Sequence, residues 1–141
     1  MNADHRHSVS VAGVVVDDRG RALIVKRKDN GRWEPPGGVL EHGETIDDGL
    51  RREVFEETGL KIEPGALTGV YQNMVRKIIA LVFRCRAIDG QLTENAEASA
   101  FHCASPDEIR SLMTEAYAVR VLDTLSAETP AIRWHDGTNL L

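Results

Sequence analysis

Three carboxylates, Glu53, Glu56 and Glu57, follow one another at i, i+3 and i+4. At about 100° per residue this spacing puts all of them on one face of a helix. Like charges so arranged repel, more strongly in a partly buried cleft than in water. Arg52 beside them can pair with one carboxylate but cannot neutralise three. A hard divalent cation that takes carboxylate oxygens, with water and phosphate oxygens in its other positions, fits both the charge and the ligand type, and magnesium is the first choice. The bland alternative is a solvated acidic face.

The element that must hold these groups is a helix expected over residues 44–58. No proline interrupts it, and Gly59 supplies the usual C-terminal stop. Ile46, Leu50 and Val54 form an apolar stripe that must be buried, so the adjoining glutamates are expected at the edge of the core. Gly49, on the carboxylate face, weakens a helix interior and is expected to leave clearance for a ligand or a close-packed neighbour.

The wider pattern runs Gly38, five residues, Glu44, seven residues, then Arg52-Glu53-Val54-Phe55-Glu56-Glu57-Thr58-Gly59-Leu60. It resembles the Nudix box, Gly-x5-Glu-x7-Arg-Glu-U-x-Glu-Glu-x-Gly-U with U aliphatic, at every specified position. Trp33-Glu34-Pro35-Pro36-Gly37-Gly38 is similar to the family's Trp-x-x-Pro-Gly-Gly entry segment, with Pro35 where relatives usually have Leu or Phe. The resemblance implies an α/β/α sandwich with a mixed β-sheet and hydrolysis of a nucleoside diphosphate linked to another moiety X. It further implies Mg²⁺, with Mn²⁺ as a substitute, held by Glu53, Glu56, Glu57 and the Gly38 carbonyl. Arg52 would orient the glutamates and Glu44 support the loop or the outer metal shell. Relatives often add a glutamate from a later loop; Glu97 matches that place better than Glu94. Either Glu53 or Glu97 is the general base, since geometry decides a base before its pKa does. A nucleoside triphosphate or a nucleotide sugar is the expected substrate. The competing reading is a regulatory module that binds a nucleotide in the same cleft without cleaving it.

The 141 residues are 42% apolar and 28% charged, which suits one globular domain over residues 8–141 after a disordered tail at 1–7. The net charge of −5 argues against a general nucleic-acid binder. The apolar run Val9–Val16 is too short to span a membrane. Cys85 and Cys103, without a CxxC pair, read as two buried free thiols in a reducing compartment rather than a zinc site or disulfide. A cytoplasmic monomer or homodimer acting on a small molecule is expected.

Along the chain, Val9–Val16 and Arg21–Arg27 read as a β-hairpin joined by Asp17-Asp18-Arg19-Gly20. Arg27 at the strand end is either a phosphate contact, as in many Nudix enzymes, or a solvated tip. Gly37 and Gly38 allow the backbone to approach a ligand. Trp33 either packs on the core or stacks on a base. Residues 68–75 and 77–87 read as strands, Asp89-Gly90 as a turn and 98–103 as a short strand. Arg84 and Arg86 share a face and either could reach the cleft. Ser105-Pro106-Asp107-Glu108 is a capping box opening a short helix. A second helix to Leu125 should cover the sheet opposite the glutamate helix, and residues 131–141 should form a final edge segment.

Overall fold

A computed structural model describes residues 5–126 and 130–141. Of the tail expected to be disordered, residues 1–4 lie outside the described residues, and residues 5–7 lead, exposed, into the first strand.

Strand β1 (Ser8–Val15) has both faces apolar, and both are buried. Val11 and Val15 enter one core cluster, Ala12 and Val14 the other. It lies parallel to β6 (Ile78–Gly90) and antiparallel to β4 (Gly37–Val39). With β5 (Leu60–Asn73) and β8 (Ala131–His135) these strands form a mixed sheet ordered β4-β1-β6-β5-β8. A second, antiparallel sheet is ordered β3-β2-β7, from β3 (Trp33–Glu34), β2 (Ala22–Arg27) and β7 (Ala98–Ala104).

The expected hairpin does not form. Beyond a single bridge between Val16 and Ala22, β1 and β2 belong to different sheets. The Asp17–Gly20 turn acts as a corner: Asp17 Oδ1 accepts from the backbone N–H of Arg19 and Arg21, both at 2.9 Å, and Gly20 takes a φ of +74°. Both strands are apolar on both faces, so periodicity cannot say whether they pair with each other or with strands distant in sequence. Alternation within β2 holds, with Ala22 and Ile24 in one cluster and Leu23 in the other.

Helix α1 (Ile46–Thr58) starts two residues later than expected because Thr45 caps it, accepting from Asp48 N–H at 3.1 Å. It ends as expected at Gly59, whose φ of +83° lets its N–H close onto Phe55 O at 2.8 Å. Leu50 and Val54 are fully buried, each worth about 1.5–3 kcal/mol. Ile46, expected in that stripe, is the first residue of the helix and is 40% exposed. Gly49 gives clearance to a packed neighbour: a Cβ there would lie 2.5 Å from Leu40 Cδ1 and 2.9 Å from Glu44 Oε1.

From Gly59 the chain enters β5 at once, eight residues before the expected strand start. Register shifts around Pro64 and Leu67 break the period-two pattern that would have revealed it. Asp89 and Gly90 likewise end β6, paired with Lys61 and Leu60, rather than forming a separate turn. On the opposite face, α2 (Pro106–Leu112) carries the full capping box, with Ser105 Oγ and Glu108 Oε1 each accepting the other residue's N–H at 3.3 and 3.0 Å. Helix α3 (Glu115–Ser126) places Ala118 and Val121 in the core with Tyr71 and Val82. With α1 on one face of the mixed sheet and α2 and α3 on the other, the α/β/α sandwich stands. Strand β8 is its edge, with Trp134 half-exposed.

Cys85 is buried, which pushes its thiol up to about 12, and Cys103 is only half-buried; both are free thiols. No helix among the described residues is long and apolar enough to cross a membrane.

Candidate active site

Strand β4 brings Gly37 and Gly38 against β1, in register with Ala12 and Val11. The Gly37 N–H donates to Glu57 Oε2 at 3.2 Å. A Cβ on Gly38 would strike the Glu53 carboxylate, 2.5 Å from its Cδ and 2.6 Å from Oε1, so this carboxylate rests on bare backbone. The second half of the double glycine and the middle of α1 thus form one wall.

Glu57 is 8% exposed, and burial above all pushes its carboxyl up to about 8; the Gly37 N–H opposes the shift and the charges of Glu97 and Glu53 add to it. Burial also raises Glu53, against the pull of Arg52. Glu56, by contrast, has 57% of its side chain exposed and reaches Arg52 Nη1 only at 3.4 Å. Arg52 donates from Nε and Nη2 to Glu44, from Nη1 to Glu53 at 2.9 Å and from Nη2 to the Val39 carbonyl at 3.2 Å. Its guanidinium holds Glu44 down to about 2. Glu44 in turn accepts the Glu41 N–H, so the loop before α1 is tied to the helix through one carboxylate.

Glu97 comes from the loop before β7 and is fixed from both sides. Lys28 N–H donates to its carbonyl at 2.8 Å, and Asn95 Oδ1 accepts its N–H at 2.9 Å. Asn95 Nδ2 donates to the Glu57 carbonyl at 2.6 Å, and Thr93 N–H to that of Thr58. The loop therefore satisfies carbonyls that the end of α1 leaves open. Glu97 is exposed, and its charge reaches Glu57 and Glu53; Glu94 is exposed in the same loop.

Of these carboxylates only Glu57, among the described residues, lines the neighbouring cleft of about 500 Å³, together with Gly37, Gly38 and Arg27; Glu53, Glu56 and Glu97 lie outside its lining. Arg27 grips Asp29 at 2.9 and 2.7 Å and approaches Glu34 at 3.5 Å. Arg84 and Arg86 are exposed and lie outside the cleft. Trp33 packs on the core and meets His102 edge-on.

Among the described residues, no three His, Cys, Asp or Glu side chains are gathered as a ready metal site, and Arg52 bonds Glu44, Glu53 and Glu56. The donor chemistry nonetheless fits a hard cation. Glu57 is buried, its hydrogen bond comes from a backbone N–H rather than a charged group, and it faces two further carboxylates.

Sequence reasoning did not find Asn95, Tyr117, Arg120 or His135. Arg120 had a local signal: it is a charge at i+4 between Ala116 and Thr124 on the buried stripe of α3. The others depend on contacts between distant segments.

The NUDIX domain profile matches residues 6–125. The chain belongs to the Nudix family. A MutT-like protein of Streptomyces ambofaciens is 52% identical over 135 residues, covering 96% of this Nudix chain and 88% of its own length. An ADP-ribose pyrophosphatase of Methanocaldococcus jannaschii is 37% identical over 98 residues, 64% of this chain and 57% of that protein. Among solved structures, a NUDIX hydrolase from Nitrosomonas europaea superposes with a TM-score of 0.76 at 25% identity, covering 94% of this chain and all of the other. An ADP-ribose pyrophosphatase from Streptococcus suis gives 0.77 at 22% identity, over 89% and 99% of the two chains, and shares the Nudix fold.

Proposed function

We propose that the chain is a divalent-metal-dependent pyrophosphohydrolase that splits the P–O–P bond of a nucleoside diphosphate derivative, a nucleoside triphosphate or a nucleotide sugar being the intended class. The observation that carries this reading is Glu57: a buried carboxylate that forms no ion pair among the described residues, held by Gly37 N–H beside a nucleotide-sized cleft. Such a group is costly in an apo fold and is accounted for by a cation that arrives with the substrate.

Glu53, Glu56, Glu57 and the Gly38 carbonyl would hold Mg²⁺, or Mn²⁺ in its place. When bound, the ion supplies charge neutralisation for pyrophosphate oxygens and makes water acidic enough to attack phosphorus near neutral pH. Arg52 keeps Glu53 against Gly38 and Glu44 against the loop, so the carboxylates meet the substrate already oriented. Gly37 and Gly38 line the cleft beside Glu57, where their backbone would face the diphosphate, and Arg27 at the rim supplies positive charge to it. Of the two candidate bases, Glu97 is the better placed to take the proton from the attacking water. Its carboxylate is exposed and makes no hydrogen bond among the described residues, whereas Glu53 Oε1 is engaged by Arg52.

The test is product release from a panel of nucleoside triphosphates and nucleotide sugars with Mg²⁺. Orders-of-magnitude loss in Glu57→Gln is expected; saturable binding without product from any nucleotide would replace the enzyme by a sensor.

A further inference from the structure

The cleft has a second unusual feature, on α3. Arg120 is 8% exposed and lines the cleft, yet among the described residues it forms no ion pair. Its guanidinium lies over Tyr117, 4.5 Å from the ring centroid, and 5.4 Å from that of Tyr71, so it is held in place by ring faces rather than by acceptors. Its Nε has no hydrogen-bond partner, and its Nη2 lies 3.3 Å from His135 Nε2.

That last contact is not a good one. His135 Nδ1 accepts the Gly137 N–H at 2.9 Å, so a neutral ring must carry its proton on Nε2, pointing it at another donor. Burial, together with the Arg120 charge, lowers the His135 pKa, in the same sense as an Nδ1 that accepts a hydrogen bond. The Arg120 guanidinium therefore has donors to spare. Glu34 is near enough for its charge to act on Arg120 but is drawn towards Arg27 instead. Asp136 lines the same region with its carboxylate committed to the N–H groups of Thr138 and Asn139, at 2.9 and 2.8 Å. With two carboxylates close by, a further anion would be repelled, whereas a neutral edge carrying two acceptors would not.

We infer that Arg120 is a specificity-determining residue that reads the keto edge of a purine base, accepting a 6-keto purine and rejecting a 6-amino purine in its place. This rests on the pyrophosphohydrolase reading, with the diphosphate at the glutamates and the base at the far part of the same cleft. A guanidinium has five donors and no acceptor. The O6 and N7 of a 6-keto purine take two of its donors together, while the N6 amino group of adenine turns a donor towards it. A site built around such donors rejects the mismatched analogue strongly because its own polar groups are then left unpaired.

Inosine and adenosine nucleotides isolate the 6-position. kcat/KM for ITP and ATP is measured with Mg²⁺ for the wild type, Arg120→Met and Arg120→Lys. The wild type should favour ITP by about tenfold or more. Arg120→Met, close in volume but without donors, should bring the ratio near one by lowering the ITP value alone, and Arg120→Lys should retain part of the preference. A wild-type ratio near one, an unchanged ratio in Arg120→Met, or an equal fall for both substrates would each overturn the assignment. If Arg120→Met does not fold, the wild-type and Arg120→Lys ratios decide on the same criteria. Calorimetric binding of the α,β-methylene analogues of ITP and ATP to the wild-type protein separates this inference from the activity it rests on. Discrimination without turnover of any nucleotide would remove the pyrophosphohydrolase and keep the base-reading residue; equal binding would remove the latter.

Discussion

Arg52 reaches back eight residues along the chain to hold Glu44 with two donors, Nε at 3.0 Å and Nη2 at 2.6 Å. The same guanidinium holds Glu53, so one side chain sets both the loop and the carboxylate wall. Arg52→Ala should lower kcat/KM by about 100-fold through lost orientation. Because the Arg52 side chain is one-quarter exposed, the melting temperature should fall by only a few degrees. Steady-state kinetics beside scanning calorimetry checks both; wild-type kinetics would leave Arg52 with no orienting role.

Glu57 makes stability depend on pH with a definite sign. Its folded-state pKa of about 8 lies above the ordinary 4.5, so its stabilising contribution is complete below about pH 4.5 and disappears as pH rises through 8. In metal-free protein Glu57→Gln should therefore leave the melting temperature nearly unchanged at pH 4 and raise it by roughly 5 °C at pH 9. Equal shifts at both pH values would show that burial does not hold this carboxyl protonated.

The two glycines of β4 should respond differently to the same methyl group. In Gly37→Ala the new Cβ meets backbone, with Ala12 Cα at 2.7 Å and the Val11 carbonyl closer still, and neither can move without unpairing β4. A loss of about 3 kcal/mol or more is expected in chemical denaturation. In Gly38→Ala it meets the Glu53 carboxylate, a side-chain end that can swing away. That variant should lose only about 1 kcal/mol but at least about tenfold in activity. Equal stability losses in the two would contradict this division.

Helix α3 is fastened to the sheet by one carboxylate. Asp123 accepts from Tyr71 Oη at 2.8 Å and from Arg133 Nε and Nη2 at 2.7 and 2.8 Å. Tyr71→Phe should cost about 1 kcal/mol, and Asp123→Ala, which strands the Tyr71 hydroxyl, about 2–3 kcal/mol. The double variant should cost less than the sum, as read from urea midpoints; strict additivity would mean the two side chains do not act together.

What the sequence disclosed was local. The end of α1 at Gly59, the Ser105 capping box and the shared face of Glu53 and Glu57 depend on residues within four positions of each other, and all are found in place. The partner of β1 was not disclosed, because Val11 to Val15 are apolar on both faces and fit a neighbour on either side. Ile46 shows the limit of the helical wheel: it lies on the right stripe but at the first residue of the helix, and it is 40% exposed. Glu56 likewise shares the acidic face yet has 57% of its side chain exposed, since a wheel gives direction around the axis and not the extent of the wall it meets. Arg120 meets His135 and Asn95 meets the Glu57 carbonyl across 15 and 38 residues of chain, contacts that no spacing rule contains.

The loop from Gln91 to Glu97 is stitched to the last turn of α1 by Thr93 and Asn95. Surface connections commonly absorb extra residues with little penalty. Here one inserted residue would shift the stitching by a step and carry Glu97 out of reach of Glu57, so the length of this segment is as strictly determined as the composition of the helix it closes.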